Sequence, residues 1–582
     1  MILQALKQYY DRKADDPASG IAPLGWEWKE IPYLIVLKTN GMLLQVEDTQ
    51  ETVGKKKRAK LFLVPQSVKR TVGVSANLLW DNVEYVTGIV CKGKPERVAE
   101  QHQAFLERLK PLATKSAEIV AIQTFLKSSN YRELLEAQPV WQEAVKNCAF
   151  ISFKMAGAVH PVFMEEGIVS LINSTNNLSG NTTNGSVCLV SGKHDIIANL
   201  HPAIKGVRDT NTTGGNIVSF NFPAACSFEK RQGDNAPIGE RTAFEYTTAI
   251  NSLLGKDSRQ KMQVGDATTI FWSSQKSTLE NDFADLFSEP EKDNPDRNVD
   301  AVERLLTSVE TGAFAHETDD TRFYVLGLSP NAARIAVRFW HEGTVAEMER
   351  RFADWFENLR IVHGPNDKEH LSLWRLLVSL APLGKSENIP PNLAGAVMRS
   401  ILEGTPYPTT MLSSALVRIK AERDVNYPRA KLVKAYLNHN NQRNITVSLN
   451  KDNTDVGYRL GRLFAVLERI QQVANPGINA TIRDKFYASA SATPSAVFGN
   501  LMRLKNHHLS KLNAENQVVF FEKLLGEIIY QAADKPGIAA FPTHLSLEEQ
   551  GQFAIGYYHQ KQDFYTKKED NTAKSSQDTE MF

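Results

Sequence analysis

Long apolar runs are missing from this sequence. The stretch at residues 376–383 is among the longest, and it falls far short of the roughly 20 residues that a membrane-spanning helix needs. The opening residues, MILQALKQYYDRK, lack the basic head, apolar run and small-residue cleavage site of a secretory signal. Cysteine is scarce: Cys91, Cys148, Cys188 and Cys226 stand far apart with no C-x-x-C pair, so spacing offers neither a disulfide scaffold nor a zinc framework. The expectation is a cytoplasmic protein with reduced thiols, no metal, no cofactor and no membrane contact. An excess of one charge is also missing. With 67 Lys and Arg against 66 Asp and Glu, only local patterning can attract a polyanion. The phosphate-binding G-x-x-x-x-G-K-[ST], the zinc-binding H-E-x-x-H and the G-x-S-x-G elbow are absent, and no catalytic residue is expected.

What is present is length and a change of periodicity. At about 150 residues per domain, 582 residues predict three or four domains. Short β-branched runs at 31–37, 42–46 and 61–64 read as strands, and 96–109 and 117–126 carry helical spacing. Between 173 and 215 the chain turns to Asn, Ser, Thr and Gly, which suit irregular backbone, with a strand expected at 187–191. A strand at 217–222, a helix at 237–254 and a strand at 267–272 follow. Residues 277–320 hold 13 acidic and 3 basic side chains and read as a solvated boundary. Two strand-like runs, FYVLGLS and IAVRFWHEG, lead into a helix whose Thr344 and Glu347 have capping-box spacing. Beyond 368 the chain reads as successive helices with short connections, as in a bundle. The fold class is therefore α+β: a mixed α/β N-terminal region with long polar loops, then a C-terminal all-α helical bundle. The expected divisions are 1–276, 277–367, 368–455, 456–566 and a disordered tail at 567–582.

Three places could carry chemistry. The basic run at Lys55, Lys56, Lys57, Arg58 and Lys60 precedes Lys69 and Arg70, which neighbour Asn77 and Asn82. Cations suit a phosphate backbone and amides suit base edges, although such a run is usually a solvated loop. The second place supplies Lys205, Arg208, Lys230, Arg231 and Arg241 as cations with Asn211, Asn216, Asn221, Gln232 and Asn235 as amides; ordinary Asx turns are the plain alternative. The third is a helical stretch with Arg459, Arg462, Arg469, Arg483, Lys485, Arg503, Lys505 and Lys511 against only Glu468 and Asp484. It suits either an exposed helix face or a single nucleic-acid strand. His194-Asp195 resembles the adjacent ligands of metal-dependent phosphohydrolases and stands as the enzymatic alternative. Carboxylates near Asp81 and Glu84 could also hold a metal, but ordinary strand-edge charges are the favoured reading.

Several stretches together resemble one family. MILQALKQYYDR, SANLLWDNVEYVTG, LHPAIKGVRDTNTTGGNIVSFNFPA, QGDNAPIGERTAFEYTTAINSLL, DATTIFW, FYVLGLSPNAARIAVRFW and GYRLGRLFAVLERIQ are similar, in order, to the large subunit of the type I-C CRISPR surveillance complex, Cascade, a Csd-type CRISPR-associated protein. The resemblance implies a non-catalytic role at the 5′ end of the crRNA. Such a subunit senses a short protospacer-adjacent motif in double-stranded DNA, helps open an R-loop and recruits a helicase-nuclease, while base pairing supplies the long sequence specificity. It further implies Cascade backbone subunits, a crRNA-processing subunit and small subunits as partners, and a C-terminal part similar to a small subunit. On that reading Asn77, Asn82, Asn211, Asn216, Asn221, Gln232 and Asn235 read the motif. Lys69, Arg70, Lys205, Arg208, Lys230, Arg231 and Arg241 hold phosphates, and the third cluster guides the displaced non-target strand.

Overall fold

Tyr33–Leu37 is buried along its whole length, as a central strand with both faces covered must be. In the computed structural model it pairs antiparallel with Leu43–Asp48 on one side and parallel with Phe150–Met155 on the other, and Trp80–Asn82 completes this four-stranded sheet. The structure describes residues 2–53, 56–68, 70, 73–178, 185–220, 222–288, 297–311, 320–332, 334–390, 392–512, 514–530, 538 and 540–565. About half of the chain is helical and 15% is strand, in the expected α+β arrangement. No helix among the described residues is long and apolar enough to cross a membrane.

Two units form. The first comprises Met1–Ser258 with the hairpin tip Pro330–Ala336. Its core gathers Trp80, Phe105, Phe125, Trp141 and Phe153 beneath the sheet. Its N-terminal helix, Ile2–Ala14, lies on Glu240–Leu253 through an edge-on contact of Tyr10 with Phe244 and an ion pair from Lys7 to Glu245. The basic run behind the first expectation forms a hairpin, Gln50–Val53 with Lys56–Ala59. There Lys57 pairs with Glu143 and Arg58 with Asp257, both at 3.1 Å. Lys55 lies outside the described residues, as do Lys69, Asn221 and the expected tail at 567–582.

The second unit, Arg259–Ser329 with Val337–Phe582, starts from a sheet ordered Lys261–Val264, Ala267–Ser273, Arg322–Asn331 and Arg334–Thr344. Phe271, Phe283, Phe287, Phe323 and Phe352 pack as one aromatic cluster between this sheet and the helices Leu279–Phe287 and Val345–Leu359. The capping box of Thr344 and Glu347 is formed. From there one continuous core runs through the remaining helices to Tyr558, so the 368–455 and 456–566 regions share it.

Its centre is a seam between Val456–Ala474 and Leu547–Asp563. A Cβ added at Gly461 would lie 2.0 Å from the Phe553 carbonyl oxygen, and one at Gly556 would lie 2.0 Å from that of Tyr458. Glycine on both sides lets the two backbones touch. Three further helices, Ile482–Ala492, Phe498–Leu509 and Glu515–Ile529, pack around Val456–Ala474, which leaves little of it wet. The expected basic stripe therefore fails at its first two members. Arg459, 3% exposed, donates to the Asn453 carbonyl at 3.0 Å. Arg462, 1% exposed, donates to Gln560 at 3.1 Å and to Glu527 at 2.6 Å. The expected strand at 217–222 is also irregular over its described residues; Gly215 and Asn216 instead make isolated bridges to Ile204 and Arg334.

Buried titratable groups in this unit tie its stability to pH. Burial, and Arg351 beside it, pulls His341 down to about 4; burial, and then Lys431, does the same to His370; and burial, and then Lys434, takes His559 to about 3. Each lies below the unfolded value of about 6.5, so the folded unit binds fewer protons. That stability is fully present above about pH 6.5 and is lost as pH falls toward 4. A denaturation midpoint that drops between about pH 7 and pH 4.5, and drops less in His559→Asn, is the expected outcome; a flat profile contradicts it. At the seam, Gly461→Ala should cost at least about 2 kcal/mol by overpacking. Gly526→Ala, where an added Cβ meets nothing within 4 Å, should be neutral or slightly stabilising in the same denaturation series.

Candidate nucleic-acid interface

All of the expected motif readers and all but the helical cations belong to the first unit, and the structure sorts them. Asp81 is wholly buried at the base of the first cluster. It accepts the backbone N–H of Asn77 at 2.8 Å and of Asn82 at 2.9 Å, and it pairs with the Arg70 guanidinium. Burial pushes its carboxyl above the ordinary value, and Arg70 with the two N–H groups acts against that rise. Arg70 also stacks on Tyr85 at 3.9 Å and donates to the Ser75 carbonyl. Asn77, 4% exposed, accepts from the Val68 N–H at 3.0 Å. Asn82 caps Val83–Thr87 by accepting from Tyr85. Arg70, Asn77 and Asn82 thus bind the fold to itself, because a buried carboxylate needs donors on every side.

The second cluster is a set of loops closed by glycine. A Cβ at Gly233 would lie 2.3 Å from the Ala198 oxygen, and one at Gly214 would lie 2.5 Å from that of Ile204. Asn216 donates to the carbonyls of His201 and Pro202, at 3.1 and 3.3 Å. Asn235 accepts from the Ser227 N–H at 3.0 Å and donates to the carbonyls of Lys230 and Gln232. For these two amides the plain alternative, loop closure, is what the geometry shows. They hold out a surface in which Lys205, Arg208, Asn211, Lys230, Arg231 and Gln232 are exposed. Arg208 lies 3.5 Å from Asp209, and Arg241, 65% exposed, pairs with Glu245 at 3.0 Å.

Three contributors escaped the sequence reading. Phe228 stands 93% exposed beside Lys230 and Arg231, on backbone with φ of +52°. Arg334 lies over the Phe222 ring at 4.5 Å, placed there by the hairpin tip, and no local pattern announces it. Lys29 sits over Phe150 at 3.9 Å, where burial, and then Lys205, lowers its amine. Only the strand alternation of WEWKE could have singled it out. Among the helical cations, Arg469 lies over Tyr565, Arg483 faces Glu468 at 3.8 Å and Lys505 pairs with Glu522 at 3.1 Å, whereas Lys485, Arg503 and Lys511 are exposed.

His194 and Asp195, the pair behind the enzymatic alternative, form a two-residue strand against Ser186–Val187. The Asp195 carboxylate accepts the Arg241 N–H at 3.2 Å, at the start of Glu240–Leu253, and His194 Nδ1 faces the Gly185 carbonyl. Among the described residues the one group of three side chains close enough to share a metal is Glu84 with Cys91 and Cys148, within 4.8 Å of one another.

Residues 6–565 match the family model described as CRISPR-associated protein (Cas_Csd1). No curated protein matches the chain. The loop geometry carries its own test: in Asn235→Ala the amides of residues 227–236 should exchange roughly five- to tenfold faster, about 1 kcal/mol per lost hydrogen bond. Unchanged hydrogen exchange there would show that Asn235 does not hold the loop.

Proposed function

Because the chain belongs to the family described as CRISPR-associated protein (Cas_Csd1), we propose that it is the non-catalytic large subunit of a type I-C Cascade. In this reading it senses the protospacer-adjacent motif in target duplex DNA, promotes R-loop formation along the crRNA and recruits the helicase-nuclease. The observation that carries the reading is the rigid loop surface of the first unit. Lys205, Arg208, Lys230 and Arg231 stand exposed around the exposed amides of Asn211 and Gln232, held by amides and glycines committed to loop closure.

The physical division is simple. Cations neutralise phosphate and release counterions whatever the sequence, which anchors the duplex. An amide offers a donor and an acceptor to a base edge, enough for a short and tolerant check. Reading therefore narrows from seven amides to Asn211 and Gln232, since Asn77, Asn82, Asn216 and Asn235 are occupied in the fold and Asn221 lies outside the described residues. The exposed Lys485, Arg503 and Lys511 remain as guides for the displaced strand.

Lys230→Glu with Arg231→Glu, in the assembled complex, should weaken target binding strongly and lower the salt slope of log K by about two. Gln232→Ala should leave that slope intact and reduce discrimination between correct and incorrect flanking motifs by roughly tenfold, about 1 to 3 kcal/mol. Unchanged affinity in the first variant and unchanged discrimination in Gln232→Ala and Asn211→Ala would leave a purely architectural subunit.

A further inference from the structure

Glu84 is a buried carboxylate, 6% exposed. One of its oxygens, Oε1, accepts three backbone N–H groups, from Cys91 at 3.0 Å, Lys92 at 2.6 Å and Gly93 at 2.7 Å. The loop that supplies those donors also brings the Cys91 thiol alongside. From the opposite side comes Cys148, which ends the helix Trp141–Asn147 in left-handed backbone with φ of +47° and whose N–H is fixed by Ala144 and Val145. One oxygen of Glu84 and the two sulfurs lie within 4.8 Å of one another. Both cysteines are only partly buried, so the cluster is within reach of solvent.

We propose that Glu84, Cys91 and Cys148 form a binding site for a thiophilic divalent cation of the zinc class, with water as the fourth ligand. Two sulfurs and one oxygen are the donor chemistry of a borderline-soft ion that prefers four ligands. The three N–H donors fix the carboxylate in the way that outer partners fix metal ligands. On binding, two metal–sulfur bonds form and the two thiol protons leave to solvent. The cation would tie the 91–93 loop to the end of Trp141–Asn147. The proposal stands or falls apart from the DNA-binding reading above.

Titrating the reduced, chelator-treated full chain with cobalt(II) alone tests it. The expected result is one cobalt per chain, with sulfur-to-cobalt charge transfer, the visible bands of a four-coordinate site, and loss of both when zinc is added. Cys91→Ser and Cys148→Ser should each abolish that spectrum with circular dichroism unchanged. Glu84→Gln should retain sulfur bands but bind at least about tenfold more weakly, and Cys226→Ser should match the parent. No sulfur-to-cobalt band in the parent, the same affinity in Cys148→Ser, or a Cys91–Cys148 disulfide that persists in reductant would each overturn it.

Discussion

Both units depend on how near two stretches of main chain can come, and glycine sets that limit. In the second unit the seam between Val456–Ala474 and Leu547–Asp563 closes because Gly457, Gly461 and Gly556 have no side chain to keep the backbones apart. In the first, Gly185, Gly214, Gly233 and Gly239 let irregular loops lie directly on neighbouring carbonyls or on the Asp195 carboxylate. A helix pair and a loop system thus share one device. In the helix pair it draws a core together, and in the loops it gives rigid shape to segments that have no ladder of their own.

That rigidity bears on the assignment of roles among polar side chains. An amide that closes a loop and an amide that reads a ligand look alike in sequence. The structure separates them by asking whether both ends of the group already have partners. Asn235 does, and Asn216 is engaged through its Nδ2; each holds its loop to neighbouring backbone. A prepaid conformation of this kind lowers the entropic cost of recognition.

Much of the fold was legible. Central strands, the helix at Glu240–Leu253, the capping box at Thr344 and the change to helices after 368 follow from period and punctuation. The polar surface was legible in outline, since Asn and Gly mark irregular backbone and the cations lie among them. What local pattern could not supply was depth. Spacing places Arg459 and Arg462 on one face, but four helices packed on Val456–Ala474 decide that this face is interior. Nor could spacing unite distant residues: Arg334 reaches Phe222 only through a hairpin, and Cys91 meets Cys148 only because a helix end and a loop converge on Glu84.

The position of Leu547–Asp563 has a consequence for how the protein is made. Among the described residues this helix follows every other helix of its unit in sequence, yet it fills the middle of the core, lying against Leu412, Val433 and Leu437 at Gly551 as well as the glycine face of Val456–Ala474. During synthesis, then, the preceding helices emerge from the ribosome with an unfilled groove between them. The unit closes only when its last helix is released, so a nascent chain halted before residue 547 exposes that groove to chaperones and proteases.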